Sequence, residues 1–123
     1  MSWLAVGIGA AVGAWLRWGL ALWLNAVHPN VAMGTLVSNL AGGFLAGLAL
    51  AFFSGNPELP PAWRLIVVTG FLGALTTFST FSMESLLLLQ RGEVLWAFAH
   101  AALHLLGSLA LCALGFALWR SLS

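Results

Sequence analysis

Four apolar stretches, about Trp3 to Leu24, Gly34 to Ser54, Arg64 to Leu89 and Val94 to Trp119, take up most of the 123 residues and leave only short turns between them. Each is near or above the ~20 residues that a helix needs to cross a bilayer. A backbone in hydrocarbon must satisfy its own N–H and C=O groups, so runs of this length fold as helices. The intervening segments, Asn25 to Met33, Gly55 to Trp63 and Gln90 to Glu93, carry Asn, Pro, Gly and charged residues and read as water-exposed turns. Trp3, Trp23, Trp63, Trp96 and Trp119 fall at the span ends, where amphipathic rings sit at headgroup level. The first stretch lacks a basic n-region and is too long for a signal-peptide core, so it is expected to stay in the mature protein. The predicted fold is all-α and integral to the membrane, one domain over residues 1–123 with four transmembrane helices.

Charge narrows the function. The chain has 62% hydrophobic residues, four Arg, three Glu, no Lys and no Asp, for a net charge of +1. That is too little charged surface for a soluble domain, and the dispersed arginines cannot neutralise a nucleic-acid backbone. Cys112 has no partner in the chain and reads as a small packing residue. Catalytic and phosphate-cradling signatures are missing, so no enzyme activity is expected.

Gly9 with Gly13, Gly43 with Gly47, and Ser108 with Cys112 form small-xxx-small spacings. Such spacings let membrane helices approach closely, and several together point to tight association as a homodimer. Four spans place both termini and the second turn on one side with Arg64, Arg120 and Glu58. The other side has Arg91 and Glu93, with Arg17 nearest to it. Basic residues therefore number two on each side, and the positive-inside rule gives almost no preference. Insertion in both orientations and an antiparallel dimer are the expectation.

The third span holds the segment from Gly70 to Phe81, weakened by Gly70 and Gly73 and rich in hydroxyls. A non-helical backbone at that depth is tolerated only where it is buried in protein or lines a wet path, and interrupted helices supply ion ligands near the midplane. The third helix is therefore expected to break at its centre and to serve an ion. Thr77, Thr80 and Glu84 share one helical stripe, and Phe78 with Phe81 forms a neighbouring pair. Hydroxyls can donate to an anion, and an aromatic rim carries positive potential.

Other polar residues lie within the spans. Glu84, about five residues from the proposed span end, is an intramembrane acid and hence a functional candidate. Arg17 is read as a cation drawing anions into a vestibule, in preference to an anchor that reaches the interface, and Asn39 offers two donors and an acceptor either to a partly dehydrated ion or to a helix-packing hydrogen bond. His100, His104 and Ser108 lie one turn apart on the last span. Two histidines so spaced could bind a metal, but no third ligand follows on that span, and a polar track beside a pore is preferred.

The chain resembles the Fluc (CrcB) fluoride channels over essentially its whole length. The matching segments are Gly13 to Trp18, Gly34 to Asn39 with Gly42 and Gly47, Gly70 to Ser82 followed by Glu84, and His104 to Ser108. The resemblance implies an antiparallel homodimer in the cytoplasmic membrane with two fluoride pathways. It also implies a central, structural sodium ion held by backbone carbonyls, here those of Gly73 and Thr76. Asn39 would face the pathway, Phe78 and Phe81 would meet fluoride with their edges, and Thr77, Thr80, His104 and Ser108 would lie along its hydroxyl-lined part. Arg17 and Glu84 also match family positions. Position 100, tyrosine in some members, is His100 here, and Ser38 replaces a small apolar residue with little expected consequence.

The function expected from the resemblance is passive export of fluoride, driven by the membrane potential. The alternative is a small multidrug-type proton-coupled cation exporter, which needs a titrating acid in the first span, where Arg17 stands instead. A non-transporting assembly subunit would not account for the hydroxyls of the third span.

Overall fold

The computed structural model describes residues 1–123. Helices α1 (Ser2–Leu24) and α2 (Met33–Ser54) are followed by a composite third span. That span starts as α3 (Pro61–Arg64), widens into a π-helical stretch at Leu65–Leu72, tightens again in α4 (Gly73–Leu75), and resumes as α5 (Phe78–Gln90). The last helix, α6 (Val94–Leu122), is the fourth. Four helices are thus long and apolar enough to cross a membrane, Ser2–Leu24, Met33–Ser54, Pro61–Gln90 and Val94–Leu122. The third begins three residues before the expected Arg64, because Pro61 takes the first helical position, where its missing N–H costs nothing.

The ends are secured by local chemistry. Asn25, at the end of α1, uses Oδ1 to accept the Thr35 N–H at 3.1 Å, satisfying an amide in the first turn of α2. Between these helices His28 Nδ1 accepts from the Asn30 and Val31 amides, both at 3.1 Å. After α5 the Gly92 N–H returns to the Leu89 carbonyl and the Glu93 N–H to Leu88. This double closure needs a left-handed residue, which Gly92 supplies at φ 78°.

Two tight helix pairs make the body. Helix α1 runs along the π-helical stretch and α4, while α2 runs along α6. A Cβ on Gly9 or Gly13 would strike the Ile66 or Phe71 carbonyl, and one on Gly47 the Cys112 carbonyl. Gly43 lies against the Ser108 carbonyl, where an added Cβ would come within 2.8 Å. The small-residue spacings are therefore used inside one chain, which corrects their assignment to association between copies. Close backbone approach of this kind is how helices gain packing energy without a solvent-driven force.

Only 22 of 123 residues are buried, and Trp3, Trp15, Trp18, Leu95, Leu106 and Leu109 each expose more than 60% of their surface. So large an apolar exterior fits lipid or a second protein surface and not water.

Candidate functional site

The site forms where the third span leaves helical geometry. Thr76 (φ −93°, ψ 154°) and Thr77 (φ −150°, ψ 119°) are extended, between α4 and α5. Thr77 is the N-cap of α5, its Oγ1 accepting from the Thr80 amide at 3.1 Å, the usual use of threonine at a helix start. The Thr77 amide donates to Asn39 Oδ1 at 2.7 Å, and the Thr77 carbonyl accepts from Asn39 Nδ2 at 3.1 Å. One side chain of α2 thus fastens both polar groups of an irregular residue 38 positions away.

The amides four residues beyond Gly73 and Thr76 are those of Thr77 and Thr80, and both are diverted to side-chain acceptors. The Gly73 and Thr76 carbonyls therefore lack the donors that a continuous helix would give them. Ala74 differs, since its carbonyl accepts from Arg17 Nε at 2.9 Å. Arg17 is thus turned onto the backbone at the end of α4, where a cation complements the helix dipole. The bond engages one of the five guanidinium N–H groups. Carbonyl oxygens without donors are the chemistry that suits a hard cation.

Beside the interruption is a cavity of about 440 Å³ lined by Asn39, Gly42, Gly43, Ala46, Val68, Leu72, Gly73, Thr76, Thr77, Phe78, Phe81, His104, Leu105 and Ser108. It gathers eight of the candidate residues and leaves out Thr80, Arg17 and Glu84. Phe81 is 7% exposed, stacked on His100 at 5.0 Å and 19° and tilted against His104 at 4.7 Å. Phe78, by contrast, is 70% exposed and touches Phe81 at 5.4 Å. The two rings are not equivalent within one chain, because Phe81 packs toward α6 and Phe78 projects outward. Ser108 Oγ makes only a long contact, 3.4 Å, to the Asn39 carbonyl.

Asn39 does not keep its amide free. Beyond the two bonds to Thr77, Nδ2 lies 2.9 Å from His104 Nδ1, so both donors and the acceptor are engaged. Of the two uses that the sequence leaves open for Asn39, these bonds are the packing one, made by a residue that also lines the cavity.

Glu84 lies at the far end of the same network. Its Oε2 accepts from Thr35 Oγ1 at 2.7 Å and its Oε1 lies 3.1 Å from His100 Nε2, while His100 Nδ1 is 3.0 Å from Ser85 Oγ. The His100 and His104 rings are 4.5 Å apart, which links this group to the cavity. Thr35 and Ser85 were not singled out from sequence. Thr35 lies one turn before Asn39 on the same face of α2, and that spacing was the available signal. The carboxylate bonded to His100 comes from α5, not α6, so a search along one span could not find it.

A small protein that crosses the membrane four times and gathers hydroxyls, imidazoles, a phenyl ring and donor-free carbonyls at an interrupted helix is a membrane protein with a polar cavity set among its spans. Residues 4–116 match the family described as "CrcB-like protein, Camphor Resistance (CrcB)", and the chain belongs to that family. It is 57% identical over 122 residues to a Pseudomonas putida protein named fluoride-specific ion channel FluC, covering 99% of this chain and 96% of the relative. It is 57% identical over 123 residues to the protein of that name from Cupriavidus metallidurans, covering 100% and 98%. Identity to the one from Tolumonas auensis is 54% over 114 residues, covering 93% and 90%.

Proposed function

We propose that the chain is a fluoride-selective channel that passively releases fluoride from the cytoplasm across the inner membrane. The observation that carries this is the full-length identity to relatives named as fluoride-specific channels. It is supported by a cavity that joins threonine hydroxyls, Ser108, His104 and Phe81 beside an interrupted helix. An inside-negative potential favours anion exit by roughly 2.3 kcal/mol per 100 mV, so no coupling machinery is needed. Phe81 commits a face to His100, which leaves its rim, the positive part of the ring, for an anion.

The working unit in this proposal is an antiparallel homodimer. The Gly73 and Thr76 carbonyls, whose helical donors are diverted to Asn39 and Thr77, would hold a structural sodium ion. That ion would supply a fixed positive charge, which lowers the cost of an anion nearby. The cation-exporter alternative is disfavoured by the first span, which carries Arg17 and no acid, and by Glu84, whose two oxygens are engaged by Thr35 and His100.

Purified protein in liposomes tests the proposal. Fluoride efflux far above chloride efflux is expected, and it should fall when sodium is replaced by a large organic cation. Equal efflux of the two anions would overturn it. Phe81→Ile is expected to cut fluoride efflux by about tenfold or more, equivalent to ~1.4 kcal/mol on the barrier. Near-normal efflux from a folded Phe78→Ile, Phe81→Ile double variant would discard the aromatic-rim argument.

A further inference from the structure

Glu84, His100 and His104 bring a carboxylate oxygen and one nitrogen of each ring within 4.8 Å of one another. By residue type and distance alone this is a place for a divalent metal. The hydrogen bonds around it say otherwise.

The orientation of the Asn39 amide is fixed, because Oδ1 accepts the Thr77 N–H at 2.7 Å and Nδ2 donates to the Thr77 carbonyl at 3.1 Å. Flipping the amide would set donor against donor and acceptor against acceptor at the same residue. The atom 2.9 Å from His104 Nδ1 is therefore the NH2 group, and its second hydrogen must donate to Nδ1. A ring that accepts at Nδ1 carries its proton on Nε2. Neither the other neutral tautomer nor the doubly protonated ring fits, since each would place N–H against N–H. His104 is 4% exposed and its Nε2 has no hydrogen-bond partner. A buried donor left unpaired costs about 1–3 kcal/mol, a cost that an acceptor arriving at the site would remove. His100 is similarly committed, with Ser85 at Nδ1 and the Glu84 carboxylate accepting at Nε2, so neither ring keeps a free lone pair for a metal.

We propose that Asn39 is a positioning residue that holds His104 in its Nε2–H tautomer, so that the buried ring offers a donor to a small anion and no lone pair to a metal cation. The identity of that anion as fluoride rests on the proposed channel function; the tautomer does not.

The test is nitrogen NMR of 15N-histidine-labelled protein in lipid bilayers. The expected spectrum has an unprotonated Nδ1 and a protonated Nε2 for His104, with the Nε2–H resonance moved by added fluoride and not by chloride. A protonated Nδ1 would overturn the tautomer and the role of Asn39 in holding it, and an Nε2–H indifferent to fluoride would overturn the ring's role as the donor to that anion. Asn39→Asp supplies only acceptors to Nδ1 and should reverse the tautomer, freeing Nε2. Titration with Zn²⁺ alone should then show at least a tenfold gain in affinity over wild type. A folded variant that keeps the wild-type tautomer would also count against the inference, and the wild-type spectrum decides if the variant does not fold. Liposome efflux is read separately: a protein with the stated tautomer that conducts no fluoride would sink the channel function and leave the role of Asn39 standing.

Discussion

Ser38 is 0% exposed and its Oγ has no partner, although little consequence was expected of a serine at this position. An unpaired hydroxyl in the interior costs more than a methyl group that needs no partner. Ser38→Ala is accordingly expected to stabilise the protein by about 1 kcal/mol, read as a later midpoint in a denaturing-detergent titration. The neighbouring polar residues behave oppositely. Thr35→Val removes the donor at 2.7 Å from Glu84 Oε2 and should cost about 1–3 kcal/mol, while Thr35→Ser, which keeps the hydroxyl, should recover most of it. Equal losses in both variants would show that the methyl group and not the bond matters. Asn39, Glu84 and the two histidines stood out in the sequence as polar residues in apolar runs. Their partners did not, because Asn39 binds a backbone 38 positions away and Glu84 binds residues 49 and 16 positions away. Separations of that size carry no periodicity to read.

At the level of helices, the spans were legible because length and hydropathy act over twenty residues at once. Which face of each helix meets which neighbour was not, and the glycines show why. A glycine spacing marks a surface open to close approach without saying whose backbone fills it. Here Gly47 meets the Cys112 carbonyl and Gly115 the Phe44 carbonyl, so α2 and α6 interlock in both directions. Gly7 and Gly19 meet nothing within 4 Å. Gly47→Ala is expected to lower the yield of folded, monodisperse protein sharply, because a backbone carbonyl cannot move aside without shifting α6. Gly19→Ala should be neutral or stabilising, by up to ~1 kcal/mol from helix propensity. Size-exclusion profiles of the two variants check the contrast, and similar losses would mean that α2 and α6 do not pack as described. The π-helical stretch Leu65–Leu72 had no sequence signal of its own. It packs against α1, where Gly9 and Gly70 bring the two backbones together.

Across the molecule as a whole, a single chain leaves Phe78, a residue lining the cavity, 70% exposed, so its outer wall is open to whatever lies beside it. In the antiparallel dimer proposed above, a second copy is that neighbour, and the arrangement demands that both orientations exist. The charges permit this: with both termini on one side, Arg64 and Arg120 lie there, while Arg91 and the nearby Arg17 balance them opposite. Arg17 counts for less than the others, since it donates to the Ala74 carbonyl inside the chain. A margin this small should be easy to tip. Ser121→Lys with Ser123→Lys, both at the exposed end of α6, adds two positive charges to one face and should fix the termini in the cytoplasm. Cells carrying only that variant should lose most fluoride resistance, because half of each dimer is missing. Co-expression with a copy biased the other way by Gln90→Lys, at the opposite end of the third span, should restore resistance when neither copy confers it alone. Full resistance from either biased copy by itself would mean that the chain works in one orientation, and the antiparallel arrangement would have to be given up.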